Sequence, residues 1–257
     1  MKRRCVSCER VGQRMTDEHS FPIWLINRAR ITKGIFWAGK KGVDPRKCVI
    51  PLCCECNQIF GKELESPVAF IFNELESFEG LSDWQCEILT RWLWKSEGIL
   101  WCGMHPSAQY SQLWTLKERA LGAGFANIKP GLVLAIALIN AIEGKTDLPM
   151  GFDSPVGGLK SIFVSGVFCN TAIIVGLREY DYLIPPMFSR YYFKEDEEDR
   201  ESKTFFPQTT ILNHEDAVEI TSKSSFSLWL AHERKAARWS SEAIHIPGVR
   251  KPSPSYS

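Results

Sequence analysis

Two cysteine pairs carry the densest chemistry in this chain: Cys5-Val6-Ser7-Cys8 and Cys53-Cys54-Glu55-Cys56. Two residues between thiolates let both sulfurs of a turn face one ion, and two such turns complete the four-thiolate shell of structural zinc. The span between the pairs exceeds that of a compact zinc finger, so something must fold within it. Incidental or redox-active cysteines are the alternative. Cys48 and Cys54 are spare. Cys54 points away from the ion within such a turn, and Cys48 falls on a predicted strand, so both read as small core residues. Nine cysteines, an odd count, exclude a complete disulfide framework for a monomer, and six of them lie between residues 5 and 56. In a reducing compartment such clustering points to metal binding.

Between the pairs runs Thr16-Asp17-Glu18-His19-Ser20-Phe21-Pro22-Ile23-Trp24-Leu25, and after the second pair comes Asn57-Gln58-Ile59-Phe60-Gly61-Lys62-Glu63-Leu64-Glu65. The order C-x-x-C, E-H-x-x-P-x-W-L, L-C-x-x-C-N-x-x-x-G-x-x-L-E resembles the HNH (ββα-metal, His-Me finger) endonucleases. It is most similar to the zinc-containing subgroup in which two knuckles bracket the active site. The resemblance covers residues 5–65, and Leu89-Thr90-Arg91-Trp92-Leu93-Trp94-Lys95 is similar to a helix that follows this module in some of those proteins.

The resemblance implies metal-dependent hydrolysis of DNA. His19 takes the place of the base that activates water, a task suited to a neutral imidazole. Glu18 matches the acidic position that ligates the catalytic ion, and Asn57 matches the third HNH position, where it ligates or positions a ligand. With oxygen donors throughout, that ion is Mg²⁺ or Mn²⁺, while zinc at Cys5, Cys8, Cys53 and Cys56 is scaffold. Two departures stand out. The middle Asn of the family falls near Cys48, where no Asn stands; Asn27 and Asp44 are the nearby substitutes. The last helix lacks a second His, so Glu65 either adds an oxygen ligand or caps and pairs on the surface.

Each residue also has a plainer reading. His19 can be an ordinary exposed or core histidine, Glu18 a turn acid, and Asn57 a helix N-cap. Trp24 packs the small core of the module. Arg28, Arg30, Lys33, Lys40, Lys41, Arg46 and Lys47 are candidates for phosphate contacts. His105, His214, His232 and His245 lack partners at ligand spacing and read as structural or exposed. Trp84, Trp92, Trp94 and Trp101 form either a helical core or a platform for stacking bases.

Charge agrees with a polyanionic partner. Residues 1–66 hold 13 Lys and Arg against 7 Asp and Glu, whereas the remainder holds 18 against 23, so a net of +6 faces a net of −5. A solvated basic face accounts for that excess equally well. The longest apolar run, Leu132 to Ile142, is too short to span a membrane. The basic start lacks a signal-peptide core, so a cytoplasmic protein is expected.

The elements that must position these residues follow from periodicity. Thr32 to Arg46, with its glycines and lysines, reads as a flexible basic loop; Cys48 to Leu52 reads as a strand. After Asn57 a helical pattern carries Ile59, Phe60, Leu64, Val68, Ile71 and Leu75, with Pro67 as a kink or boundary. Ser82 caps a helix running to about Gly103, and another helix covers Gln109 to Leu121. Leu132–Ile142, Leu159–Phe168 and Thr171–Leu177 read as three antiparallel strands, the first equally compatible with a buried helix. Lys194 to Lys203 is a solvated charged loop, a helix runs from about Ser225 to Ser241 with Phe226, Trp229, Leu230 and Ala237 on one side, and the tail is disordered.

The expected fold is therefore α+β: a zinc-bound ββα module (1–66), a helical connector with a C-terminal antiparallel sheet and terminal helix (67–246), and a tail (247–257). The C-terminal region would select substrate, bind a protein partner or regulate cutting. The competing reading is an inactive zinc-stapled binding subunit of a larger complex.

Overall fold

A computed structural model describes residues 3–37, 40–105, 115–140, 148–153, 162–194, 201–211 and 213–243. The chain opens with the first cysteine turn and then β1 (Met15–His19), α1 (Ile23–Arg28), β2 (Ile35–Trp37), β3 (Lys40–Val43) and β4 (Val49–Cys53). The segment expected as a loop thus holds an antiparallel hairpin, β2–β3, followed by a 3-10 turn at Pro45–Lys47. Asp44 caps that turn by accepting from the Arg46 amide, so local capping orders a stretch whose composition reads as flexible.

β1 and β4 pair antiparallel, from Met15 opposite Cys53 to His19 opposite Val49. The second cysteine turn then converts strand into helix: α2 (Cys54–Phe60) has Cys53 as its N-cap, with Sγ accepting from the Cys56 amide. The helical run continues through a π turn (Gly61–Glu65) into α3 (Ser66–Glu76). Pro67 stands at an element boundary that does not end the helical run: the π turn ends at Glu65, and Pro67 lies among the first residues of α3. A proline has no N–H and its ring crowds the preceding turn; the wider turn absorbs this, with the Ser66 amide donating five residues back to the Gly61 carbonyl.

Then come β5 (Leu81–Ser82) and α4 (Asp83–Met104), whose first turn is locked by a reciprocal Ser82–Gln85 capping box. α4 is buried nearly all round, Cys86, Leu89, Trp92, Leu93, Trp94 and Ile99 included, and it is the strut against which both halves of the chain pack. Of the helix expected over Gln109 to Leu121, α5 (Leu116–Leu121) is observed, capped by Thr115, and 106–114 lie outside the described residues. α6 (Ala123–Ile128) leads to the sheet.

That sheet contains β6 (Leu132–Ile139), β7 (Met150–Asp153), β8 (Val164–Phe168), β9 (Thr171–Leu177) and β10 (Ser189–Tyr192), in the order β10-β6-β9-β8-β7, all antiparallel. β11 (Lys203–Phe205) pairs with β5, and β12 (Thr209–Ile211) adds one parallel pair to β6. β6 is a strand, resolving the helix alternative. Its Leu132, Leu134, Ile136 and Leu138 face the α4 side, and Val133, Ala135, Ala137 and Ile139 face the other side, where α7 (His214–Ala243) lies. A strand covered on both faces carries no polar alternation, which is why its sequence is ambiguous.

α7 begins eleven residues before the expected Ser225. Its buried stripe is Ala217, Thr221, Ser224, Ser225 and Leu228, whereas Phe226 is exposed. Small and hydroxyl residues that pack close to the sheet do not register as an apolar face. Lys203 likewise is no loop residue: it starts β11 and pairs with Glu74 and Glu79. The core containing Cys5, Leu25, Phe60 and Trp92 also contains Leu134, Phe168 and Phe205, so one hydrophobic cluster spans both sides of residue 66. The tail, 247–257, lies outside the described residues. No helix among the described residues is long and apolar enough to cross a membrane.

Candidate metal centre and candidate active site

The ligand atoms of Cys5, Cys8, Cys53 and Cys56 all lie within 4.8 Å of one another. Metal–sulfur bonds of roughly 2.3 Å in a tetrahedron put neighbouring sulfurs about 3.8 Å apart. Cys8 Sγ and Cys53 Sγ stand at 3.8 Å. Cys54 belongs to no such group, and Cys48 is buried just before β4. The backbone is shaped for sulfur: the Cys53 amide donates to Cys5 Sγ at 3.2 Å and the Cys56 amide to Cys53 Sγ at 3.5 Å. Glu9, one residue past the first pair, takes a left-handed φ of 63° that turns the chain back.

The electrostatics ask for a cation. The Cys56 thiol donates to Cys5 and, with nearby amides, draws Cys5 down to about 4, while Cys56 is pushed up by that same bond to Cys5 and by burial. Burial raises Cys53 as well. Four thiols in one pocket cannot all ionise unless positive charge joins them, and a metal ion such as zinc supplies it. Outside the cluster, Arg10 donates to Cys8 Sγ at 3.3 Å, and Glu55 binds both Arg10 and Lys117, joining the two knuckles to α5.

Opposed residues of an antiparallel pair share a face. Thr16 and Glu18, opposite Leu52 and Ile50, therefore face the helices, whereas Asp17 and His19, opposite Pro51 and Val49, take the other side. His19 is half-buried, and its Nδ1 is buried with no hydrogen-bond partner. On the Asp17–Val49 side opens a cleft of about 650 Å³ that Arg3 and Arg4 also line. In the sequence these two arginines stand out only as a basic start.

Asn57 is the fourth residue of α2, so it is not the N-cap; Cys53 is. Its amide nitrogen donates to Thr16 Oγ1 at 2.9 Å, and Thr16 Oγ1 donates to the Leu52 carbonyl at 3.2 Å. Asn57 is thereby pinned to the strand that carries His19.

Glu65 differs from both expectations. It neither pairs on the surface nor presents a free oxygen. Oε2 accepts from Trp24 Nε1 at 3.1 Å, while Oε1 accepts from Trp92 Nε1 at 3.1 Å and Lys95 Nζ at 2.6 Å. Lys95 Nζ also donates to Glu18 Oε1 at 2.8 Å. Desolvation pulls the Lys95 ammonium down, yet the charges of Glu65 and Glu18 outweigh it and hold the group above its ordinary value. Trp24 and Trp92 are core residues whose indole N–H groups serve this carboxylate. Among the described residues, only the four cysteines form a group of three or more His, Cys, Asp or Glu that could hold a metal. Sequence reasoning assigned Lys95 no role of its own; the available signal was a cation directly after the apolar run Trp92-Leu93-Trp94 on a helix buried nearly all round.

The basic candidates divide in two. Arg28 is engaged internally, donating to Glu76, Asn73 and the Phe72 carbonyl. Arg46 reaches Asn27 and Asp44. Arg30, Lys33, Lys40, Lys41 and Lys47 are exposed. Of the tryptophans, Trp92 and Trp94 are buried, which removes them as a platform for bases, and Trp101 stacks on His105. Comparisons of the chain with protein-family models, with curated proteins and with solved structures find no match.

Proposed function

We propose that the chain is a nuclease of the zinc-stapled ββα-metal class, with a sheet-centred C-terminal region attached. Within that class it is read as an HNH-type endonuclease acting on DNA. The observation that carries this reading is the Asn57–Thr16 hydrogen bond, which fastens the helix after the zinc knuckle to the strand ending in Glu18-His19.

Zinc in the four-cysteine shell is structural, joining the start of the chain to the β4–α2 junction. His19, the last residue of β1, would accept a proton from the attacking water. When bound, a Mg²⁺ or Mn²⁺ ion stabilises charge on the scissile phosphate and leaving oxygen. Glu18, through Oε2, and Asn57 would hold it on the helix-facing side of β1, with His19 reaching the phosphate from the strand's end on the other side. Glu65 is withdrawn from that set. Arg3, Arg4, Arg30, Lys40, Lys41 and Lys47 supply cationic surface for the phosphate backbone. A cytoplasmic setting and a protein partner on the C-terminal region belong to the same reading.

A second reading is favoured by the ion pair itself: Lys95 neutralises Glu18, as in a zinc-stapled binding module that does not cut. Plasmid nicking in Mg²⁺ or Mn²⁺ separates the two. The native chain should nick, and His19→Ala should reduce the rate by about 10²–10⁴. DNA binding with no cutting supports the binding module; cutting unchanged in His19→Ala removes His19 as the base.

A further inference from the structure

Lys95 has 1% of its side chain exposed, and neither the zinc clasp nor the proposed hydrolysis employs it. A buried ammonium loses its hydration and is tolerated only where close countercharge replaces it. Glu18 at 2.8 Å and Glu65 at 2.6 Å provide that charge, and the Phe60 ring lies 5.6 Å from Nζ. The carboxylates come from separate elements, β1 and the π turn, and converge on one point inside the molecule. Two indole N–H groups fix Glu65 there. Converging carboxylates in a rigid frame are what a divalent cation binds, and Nζ fills the point of convergence.

We infer that Lys95 is the built-in cation of the Glu18–Glu65 pair. It orients Glu18 and keeps a divalent ion from settling between the two carboxylates in the free protein. The role given to Glu18 rests on the nuclease reading, whereas the exclusion of an ion rests on the geometry alone. Glu18 then keeps one oxygen, Oε2, that Lys95 does not hold. A Mg²⁺-class ion, which keeps several waters and takes one or two carboxylates together with phosphate oxygens, arrives with the nucleic acid rather than waiting in the site.

Mn²⁺ titration of the full zinc-loaded chain tests this without measuring cleavage. The native protein should show no Mn²⁺ site that Glu65→Gln abolishes. Lys95→Met should gain one site binding at least roughly tenfold more tightly, and adding Glu65→Gln to Lys95→Met should remove it. If Lys95→Met does not fold alone, Mn²⁺ should restore its melting transition. A folded Lys95→Met with no gained site, an unfolded one that Mn²⁺ does not rescue, or a native Mn²⁺ site sensitive to Glu65→Gln each overturns the inference. None of these outcomes bears on whether the native chain nicks DNA, so the two readings fail separately.

Discussion

At the residue scale, position within the fold decides which side chains are available for chemistry. Arg28 and Lys47 look equivalent in the sequence; one is bound to three acceptors on α3 and the other faces solvent. Removing one member of a buried ion pair leaves uncompensated charge, so Lys95→Met without divalent ion should lower stability by about 3–5 kcal/mol in urea unfolding. Trp92→Phe, which removes one of the two donors to Glu65 Oε1 and trims a buried indole, should cost about 1–3 kcal/mol in the same assay. A loss below a few tenths in both would mean the triad contributes nothing. The spare thiols carry a pH signature. Burial pushes Cys48 to about 11 and Cys169 to about 12, so both stay protonated in the folded chain at pH 8. Iodoacetamide should spare them there and modify them only after denaturation, and native-state labelling at these two positions should rise only as pH nears those values, while half-buried Cys54 serves as the reactive reference. Rapid native labelling of Cys48 would contradict its burial.

At the element scale, the cysteine turn, the strand and the helix form one continuous device. Cys53 closes β4, caps α2 and contributes a sulfur to the cluster, so the four-sulfur group, the strand end and the helix start share a residue. α4 owes its register to the Ser82–Gln85 box, and Ser82→Ala should cost about 1 kcal/mol in denaturant midpoint. The apolar run Cys48 to Leu52 made β4 legible and the helical pattern after Asn57 part of α2, whereas a strand at His19 followed only from the family resemblance. The ionic triad was not legible. Glu18, Glu65 and Lys95 are far apart in the chain, and only the π turn after Gly61 and the orientation of α4 bring them together. The hairpin β2–β3 was hidden by a Gly- and Lys-rich composition, and the stripe of α7 by its serines and threonines.

At the scale of the whole molecule, a sheet covered on both faces ties the candidate site to the C-terminal half through α4. The α+β character, the antiparallel sheet and the terminal helix were readable from apolar runs and their turn formers. The parallel β12 and the short β11–β5 pair were not, since strands of two or three residues carry too little pattern. One core spanning residue 66 has a consequence: damage to the clasp should be felt far away. Chelation of the metal, followed by near-ultraviolet circular dichroism, should disturb the Trp24–Trp92–Phe168 cluster together with the knuckles.

The most direct measurement is the metal content of the purified chain. About one zinc per chain is expected, lost when Cys53 and Cys56 are both changed to Ser, with the cooperative melting transition lost alongside it. A native chain that folds and melts cooperatively with no bound metal, its four thiols free to react, would contradict the clasp on which the placement of His19 and Asn57 depends.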